Sequence, residues 1–278
     1  MFAEQTPFNT SMALPRGNLF EAVKKFTKTQ HYSILITNFD PERNRIQIMS
    51  DKSKSLFKEH SKISPCFSHL NEEDLEYLDT KVTQLTYFQG ENLFKQGAFA
   101  PYVLYVIDGA TKIYLQTGYD KQLNIRLAVS GDFLAFSAVF GSSVYNYSSQ
   151  ALMDTTVCMI DKEALKEVLL RNPDFAMQLT SLNYKNEETL LKLIGSLSYK
   201  QMRGKLATSL LYLSSEEFLK LNIFKYLSRQ EIADFAAVTT ESTIKLLKEF
   251  EKEAIIKLEG KEIHILEKGR LEEISRKG

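Results

Sequence analysis

The sequence predicts an α+β protein in which an antiparallel β jelly roll comes first, one long helix follows, and a winged helix-turn-helix comes last. Three observations predict this order. Short alternating runs separated by glycines recur about every 8–12 residues in the first half of the chain. Apolar residues then recur at spacings of three and four over about six helical turns. Two short helical patterns and a hairpin pattern lie near the C-terminus.

Length and composition indicate a globular protein of about two domains. The chain has 278 residues, 44% of them apolar, and its 35 basic residues cancel its 35 acidic ones. It has no apolar run of the ~20 residues that span a bilayer, and its N-terminus lacks the pattern of a secretory signal. Two cysteines are too few for a disulfide framework. We therefore expect a cytoplasmic protein with no membrane partner.

Residues 1–64 form an N-terminal extension whose role the sequence leaves open. Within it, the runs 33–36 and 45–48 have the composition of strands, and the turn-forming pair Asp40 and Pro41 lies between them. This pattern predicts a small appended hairpin with a flanking helix ahead of the roll.

Residues 65–172 are predicted to form the jelly roll with its flanking helices. A helix is expected over residues 71–82, with Asn71 as its N-cap, and a strand over residues 103–107. In the next two strands apolar and polar residues alternate, which predicts an antiparallel sheet with one face towards a filled interior. The apolar set is Ile113, Leu115, Ile125, Leu127 and Val129, and the polar set includes Lys112, Gln116, Asn124 and Arg126.

Residues 173–203 are predicted to form one long helix, with Pro173 in its first turn. Two interpretations of its apolar stripe are open. The stripe could lie on the core of its own protomer, or it could pair with a second copy of the chain, with the polar Asn186 setting the register. The narrow leucine seam favours a homodimer through residues 174–200. The stripe consists of Phe175, Leu179, Leu182, Leu190, Leu193 and Leu197.

Residues 204–278 contain the helix-turn-helix pattern, in the stretch LSRQEIADFAAVTTESTIKLLKEF. Ser228 and Glu231 have the spacing of a capping box, so the first helix begins there. The turn falls at residues 236–238, and Thr239 caps the second helix. We expect that helix to bury Ile244, Leu247 and Phe250 and to expose Thr240, Glu241, Thr243, Lys245 and Lys248. A turn at Gly260 between alternating strands predicts a hairpin, the wing.

This pattern is typical of a protein that reads DNA. A helix fits the major groove, and exposed residues near its N-terminus reach the base edges. Glu241 can accept a hydrogen bond from cytosine, Thr240 can donate or accept, and Lys245 can reach guanine or a phosphate. Arg229 and Thr239 are placed for contacts with phosphates.

The charge balance of this region leaves an alternative open. Residues 225–278 contain eleven basic and eleven acidic side chains, so the region carries no net charge. Because non-specific DNA affinity depends on cations that neutralise phosphates, a neutral domain has little of it. The alternative function is therefore a regulatory module that binds a ligand or another protein and does not bind DNA.

The order of these elements resembles that of the CRP/FNR family of bacterial transcription regulators over roughly residues 65–275. The most specific motifs are SRQEIADFAAVTTESTIKLLKEFEKEAII, together with QGENLFKQG and SGDFLAF in the roll. The form of the roll is closer to the FNR-like branch. The resemblance implies a roll of the cyclic-nucleotide-binding type, a dimerisation helix, and double-stranded DNA and RNA polymerase as partners.

The resemblance also implies roles for single residues. Glu241 stands at the family's base-reading glutamate, Lys245 at its base-reading arginine, and Arg229 at a phosphate-contacting arginine. Thr240 occupies a position that helps to set the target sequence. Two departures matter: lysine lacks the planar fork with which arginine binds guanine, and Ala237 replaces the usual glycine of the turn.

The signal that the roll senses is not evident from the residues. Family members that bind cyclic AMP carry a glutamate after the G-D-F run and an R-S pair further on. This chain has Ala135 to Ser137 and then Tyr145 to Ser148 at those places. A buried phosphate without a cation would be unsatisfied, so we expect no cyclic AMP. Phe136, Tyr145 and Tyr147 either fill this space or line a pocket for an unknown effector.

Metal cofactors have little support in the sequence. Oxygen-sensing members of the family hold an iron–sulfur cluster through cysteines near the start of the roll, where this chain has Cys66 alone, and four thiolates are needed. We therefore expect no such cluster. Cys158 lies in an apolar run and is interpreted as a core residue.

The histidines, which are His31, His60, His69 and His264, are scattered and leave haem open. An enzyme of the cupin type would need several histidine and carboxylate ligands in the roll, where only His69 occurs, so we expect no catalytic activity.

Overall fold

A computed structural model describes residues 57–61, 64–118 and 121–278 of the chain, and the backbone alone of Lys185. All of these residues belong to one compact unit, Ser53–Gly278. The hairpin predicted within residues 33–48 lies outside the described residues.

Eight strands form the jelly roll. They are β1 (Val82–Tyr87), β2 (Asn92–Phe94), β3 (Tyr102–Asp108), β4 (Ala110–Gly118), β5 (Lys121–Val129), β6 (Phe133–Leu134), β7 (Ser148–Ala151) and β8 (Thr155–Asp161). They are arranged as a first sheet with the order β1-β8-β3-β6 and a second sheet with the order β2-β7-β4-β5. The neighbouring strands pair antiparallel, as the alternating pattern predicted.

Residues 57–61 are helical, and eight further described helices flank and follow the roll. They are α1 (Glu72–Asp79), α2 (Lys162–Arg171), α3 (Pro173–Tyr199), α4 (Met202–Leu213), α5 (Glu216–Lys220), α6 (Arg229–Ala236), α7 (Thr240–Lys252) and α8 (Lys268–Lys277). The wing is the hairpin of β9 (Ile256–Glu259) and β10 (Glu262–Ile265). Short 3-10 helices span Pro65–Phe67, Phe136–Phe140 and Ile223–Tyr226.

Helix α1 begins as predicted but ends earlier. The side chain of Asn71 caps it by accepting a hydrogen bond from the backbone nitrogen of Asp74 at 2.7 Å. The predicted end at Val82 is wrong, because Val82 begins strand β1 and pairs with Ile160. A β-branched residue at this point prefers the pleated sheet to a final helical turn.

Apolar side chains are buried in three layers. The two sheets enclose an interior that contains Leu104, Val106, Ile113 and Val157. The outer face of the first sheet packs against α1, α2 and the start of α3. Strand β3 is therefore buried on both faces, because its alternate residues Val103 and Tyr105 point into this second layer. The third layer is the core of the C-terminal domain.

The outer face of the second sheet is buried by the C-terminal domain. Ala110, Leu127 and Val129 of β4 and β5 belong to the same apolar cluster as the residues of α4, α6 and α7. Three polar residues of these strands are also buried: Lys112 is 4% exposed, Asn124 0% and Arg126 8%. The prediction that Leu127 and Val129 face the interior is wrong, because the register shifts between Ile113 and Tyr114 and both residues lie on the outer face, where the C-terminal helices cover them.

Candidate nucleic-acid interface

Helix α6 begins at a capping box, as the sequence predicted. The Oγ atom of Ser228 accepts a hydrogen bond from the backbone nitrogen of Glu231 at 3.1 Å. In return, Oε2 of Glu231 accepts from the backbone nitrogen of Ser228 at 2.7 Å. Two backbone donors that have no partner inside the helix are thereby satisfied, and the start of α6 is fixed.

The turn between α6 and α7 is the tight turn of a helix-turn-helix. Ala237 ends α6 with a φ of 49°, in the left-handed region. Thr239 then caps α7, and its Oγ1 atom accepts from the backbone nitrogen of Ser242 at 3.2 Å. The turn and the cap therefore lie where the sequence placed them, and the chain adopts the left-handed conformation with alanine in place of glycine.

Helix α7 presents its first turns to solvent. Thr239, Glu241 and Lys245 are exposed, and Thr240 is half-buried. Glu241 and Lys245 are four residues apart, so their side chains lie on the same side of the helix. The structure thus places the residues predicted to read DNA on one continuous surface at the N-terminus of α7.

The buried face of α7 differs from the prediction in one turn. Thr243, Leu247 and Phe250 are at most 1% exposed, whereas Ile244 is 39% exposed. The sequence predicts a buried Ile244 and an exposed Thr243, and both predictions are wrong. The buried residues are spaced by four and then three positions, and this face of α7 packs against α6 and α4. In this orientation of α7, Ile244 lies on the exposed side.

Arg229 connects the start of α6 to the wing. Its guanidinium donates to the backbone oxygen of Gly260 at 2.8 Å and to that of Lys261 at 3.3 Å. Burial lowers the pKa of Arg229 from its ordinary value. The predicted phosphate contact of Arg229 remains a prediction, and the structure adds that this side chain joins the wing turn to the start of α6.

The wing carries a group of side chains of the metal-binding type. Ligand atoms of Glu259, Glu262 and His264 lie within 4.8 Å of one another, and the group is the one set of at least three such residues in the described part of the chain. Glu259 is also paired with Lys257. These residues lie at the surface of the wing, and none of them belongs to the jelly roll.

A polar contact that no sequence pattern predicted joins the roll to the helix-turn-helix. The Nζ atom of Lys112 lies 3.1 Å from Oε1 of Glu231, in an ion pair whose side chains are 5% and 18% exposed. Asn124 donates to the backbone oxygen of Glu231 at 3.1 Å, and Gln122 donates to Oδ2 of Asp234 at 2.7 Å. The first helix of the helix-turn-helix is therefore held directly by strands β4 and β5.

The three aromatic residues predicted for the effector pocket lie in two layers. Tyr145 stacks on Phe94 in the interior, with ring centroids 4.1 Å apart, and its hydroxyl donates to the backbone oxygen of Tyr102. The Tyr147 hydroxyl accepts from the backbone nitrogen of Ala135 at 2.6 Å. Phe136 instead packs in the layer between the first sheet and the helices. Burial raises the pKa of Tyr145 to about 12.

Both cysteines are free and buried. Cys158 is 0% exposed, which confirms its interpretation as a core residue, and burial raises its pKa to about 12. Cys66 is 3% exposed, and its pKa is also raised, mainly by burial. Neither thiol has the lowered pKa of a reactive cysteine.

The two halves of α3 have different surroundings. Phe175 and Leu179 are fully buried in the core of their own protomer. A row of apolar side chains is exposed instead on another face: Met177, Tyr184, Leu191 and Ile194. The first part of the predicted seam therefore packs within the chain, and the exposed row lies beside it.

Models of two protein families match the chain. The cyclic nucleotide-binding domain matches residues 84–172, and the Crp-like helix-turn-helix domain matches residues 204–274. The two matches follow the order roll, helix and helix-turn-helix that the structure shows.

Bacterial regulators are similar over most of this sequence. The transcriptional activator protein Anr of Pseudomonas protegens is 29% identical over 203 residues, which cover 71% of this chain and 83% of that protein. The fumarate and nitrate reduction regulatory protein of Vibrio cholerae is 28% identical over 211 residues, or 74% and 84% of the two chains.

Solved structures share the fold. A transcriptional regulator of the CRP/FNR family from Thermus thermophilus superimposes with a TM-score of 0.57 at 20% identity, covering 70% of this chain and 98% of the other. Among the described helices, none is long and apolar enough to span a membrane.

Proposed function

Because the chain belongs to the CRP/FNR family of transcription regulators, we propose that it binds a palindromic DNA site as a homodimer under the control of a signal sensed by its jelly roll. It is a DNA-binding regulator, and the comparisons favour this over a module that makes only protein contacts. The family consists of regulators rather than enzymes. The observation that carries the proposal is the exposed N-terminus of α7 on a helix-turn-helix with a wing.

We assign base reading to Thr240, Glu241 and Lys245, and phosphate contacts to Arg229 and Thr239. The exposure of Glu241 and Lys245 on one side of α7 supports this assignment, since a helix in the major groove reads bases with such residues. Arg229 has further N–H groups beyond the two that hold the wing, so it can serve both purposes.

We assign dimerisation to residues 174–200. The exposed residues Met177, Tyr184 and Leu191 are spaced by seven, the repeat that pairs helices in coiled coils. Pairing two copies of α3 would cover these side chains. It would also place the two α7 helices about one DNA turn, ~34 Å, apart, so that they meet successive major grooves.

We divide the chain into an extension (1–64), a sensor domain (65–172), a dimerisation helix (173–203) and a DNA-binding domain (204–278). The effector is unidentified, and Tyr145 and Tyr147 are the predicted pocket residues that face the interior of the roll. As the family implies, RNA polymerase is the further partner, and the regulator works in the cytoplasm, where bacterial DNA is found.

The proposal is tested by binding to DNA fragments at several salt concentrations, followed by footprinting of the fragment that binds best. We expect an affinity that falls as salt rises, because phosphate contacts release counterions. We also expect a protected site with two-fold symmetry. A protein that distinguishes no duplex from random competitor would refute the proposal, and an asymmetric footprint would refute the dimer.

Replacing Glu241 with alanine tests the reading helix itself. We expect base preference to relax at one position in each half-site, by about 1–3 kcal/mol, because one contact to a base edge is lost. The measurement is competition among half-sites that differ at single bases. Lys225→Ala serves as a control, since Lys225 is exposed on a 3-10 helix outside the helix-turn-helix. An unchanged preference in the Glu241 variant would exclude this role.

A further inference from the structure

A chain of hydrogen bonds leads from the sensor domain to the first residue of α7. Gln122 of strand β5 donates from Nε2 to Oδ2 of Asp234 at 2.7 Å. Gln230 donates from Nε2 to Oδ1 of the same carboxylate, also at 2.7 Å. The hydroxyl of Thr240 then donates to Oε1 of Gln230. Asp234 is 7% exposed, so protein groups surround this carboxylate on most sides.

The carboxylate of Asp234 fixes the direction of every bond in this chain. An ionised carboxylate accepts hydrogen bonds and donates none. Both glutamines must therefore turn their amide nitrogens towards Asp234. The carbonyl oxygen of Gln230 then faces away from Asp234, towards Thr240, and an amide oxygen also only accepts. The proton of the Thr240 hydroxyl is consequently committed to Gln230.

We propose that Thr240 reads its base only as a hydrogen-bond acceptor and through its methyl group, and that Gln230 is the positioning residue that imposes this. The inference rests on the proposed function, because it concerns the base that faces Thr240. A free threonine hydroxyl can donate a hydrogen bond to one base or accept one from another. A hydroxyl whose hydrogen is already bonded to Gln230 can only accept, through its lone pairs. In the major groove, adenine and cytosine offer amino groups to such an acceptor, and thymine offers a methyl group.

Guanine is the base that this arrangement disfavours. It presents only acceptors, N7 and O6, in the major groove, so it has no hydrogen to give to Thr240. The site read by this chain should therefore exclude guanine on the strand that Thr240 contacts. Removal of the Gln230 side chain releases the hydroxyl, which can then rotate and donate to guanine.

The experiment begins with the preferred site of the full-length protein, selected from random duplexes. Thr240→Val removes the hydroxyl and keeps the shape, so the position at which base preference changes identifies the base that Thr240 reads. At that position we expect guanine to bind weakest to the wild-type protein. We expect Gln230→Ala to raise the relative affinity for guanine about three- to tenfold, the worth of one hydrogen bond.

The double variant Gln230→Ala, Thr240→Val separates this role from a general effect on the fold. Because Gln230 acts through the Thr240 hydroxyl, its loss should change nothing further once that hydroxyl is gone. Asp234→Asn should act in the same direction but more weakly, since an asparagine offers one acceptor and one donor and no longer holds Gln230 in a single orientation. Gln150→Ala is the matched control, because Gln150 donates to the backbone oxygen of Gly90 in the roll.

Three results would overturn the inference while leaving sequence-specific DNA binding itself intact. The first is a wild-type protein that prefers guanine at the Thr240 position, and the second is a Thr240→Val variant with no change at any position. The third is a Gln230→Ala variant with the wild-type base profile. Failure of the wild-type protein to prefer any duplex would instead refute the proposed function. Gln230 is exposed, so its replacement leaves the core intact.

Discussion

Ala237 occupies a backbone conformation that costs an alanine about 1–2 kcal/mol and costs glycine nothing. The variant Ala237→Gly should therefore be more stable than the wild-type protein, by about 1 kcal/mol after the greater freedom of glycine in the unfolded chain is taken into account. The measurement is the free energy of unfolding in urea. Ala236→Gly is the control and should lower stability, because Ala236 is helical and buried. A destabilised Ala237→Gly variant would show that the turn is not left-handed at this residue.

Cys158 shows how burial changes the chemistry of one side chain. Its thiol has a pKa of about 12 in the folded protein, against an ordinary value of 9.0. The unfolded state therefore loses this proton first, and the stability that the thiol contributes is present below pH 9.0 and is lost as the pH rises towards about 12. At pH 8 we expect iodoacetamide to label Cys158 only after denaturation, as mass spectrometry would show. Rapid labelling of the native protein would contradict this burial.

Strands β4 and β5 join the sensor domain to the DNA-binding domain. Leu127 and Val129 belong to the apolar cluster shared with the C-terminal helices, and the ion pair of Lys112 and Glu231 joins β4 to α6 with side chains that are 5% and 18% exposed. Because the pair is largely withdrawn from water, removing one partner leaves a charge with poor solvation. The same Glu231 side chain accepts from the backbone nitrogen of Ser228 in the capping box, so the ion pair also helps to fix the start of the helix-turn-helix.

Lys112→Met should destabilise the protein by about 2 kcal/mol, because it leaves the Glu231 carboxylate buried without its partner. Adding Glu231→Gln should restore most of this loss, since glutamine keeps the capping box and carries no charge. Unfolding in urea measures both. Lys58→Met is the control, because the pair of Lys58 and Glu76 is 34% and 63% exposed and should contribute below about 0.5 kcal/mol. Equal effects of the two lysine variants would contradict this account.

The elements set by local interactions could be predicted from the sequence. The capping box of Ser228 and Glu231, the Asn71 cap and the turn at Gly260 depend on residues a few positions apart, and each lies where expected. The burial of Lys112 and Asn124 could not be predicted in this way. It depends on α6, more than 100 residues further along the chain. A strand with polar residues on one face has the same sequence pattern whether that face contacts water or polar groups of another part of the chain.

The exposed apolar row on α3 bears on how the whole molecule assembles. Leu191 is 61% exposed and Ile194 is 49% exposed, although both are apolar. Such a row is unfavourable in water unless another surface covers it. The sequence predicted a stripe on this helix, but the stripe it identified includes Phe175 and Leu179, which the protomer buries itself. Periodicity alone does not distinguish the two faces, because both repeat at helical spacing.

If α3 forms the proposed dimer, Leu191→Glu should leave the protein monomeric, because pairing of the two α3 helices would bring two like charges into an apolar contact. Analytical ultracentrifugation measures the mass, and binding to a palindrome should weaken towards that of a single half-site. Leu170→Glu is the control, since Leu170 is 76% exposed on α2. A Leu191→Glu variant that remains a dimer would place the subunit interface elsewhere.

The buried contact of strands β4 and β5 with α6 has a consequence for protein engineering. In a chimera that joins the sensor domain of another regulator to the DNA-binding domain of this protein, the side chains of that sensor would occupy positions 112, 122 and 124. Unless lysine, glutamine and asparagine are transplanted with the graft, Glu231 and Asp234 would face unmatched neighbours. A chimera joined between α3 and α4, near residue 200, should therefore fold poorly, whereas one that keeps strands β4 and β5 together with the DNA-binding domain should fold.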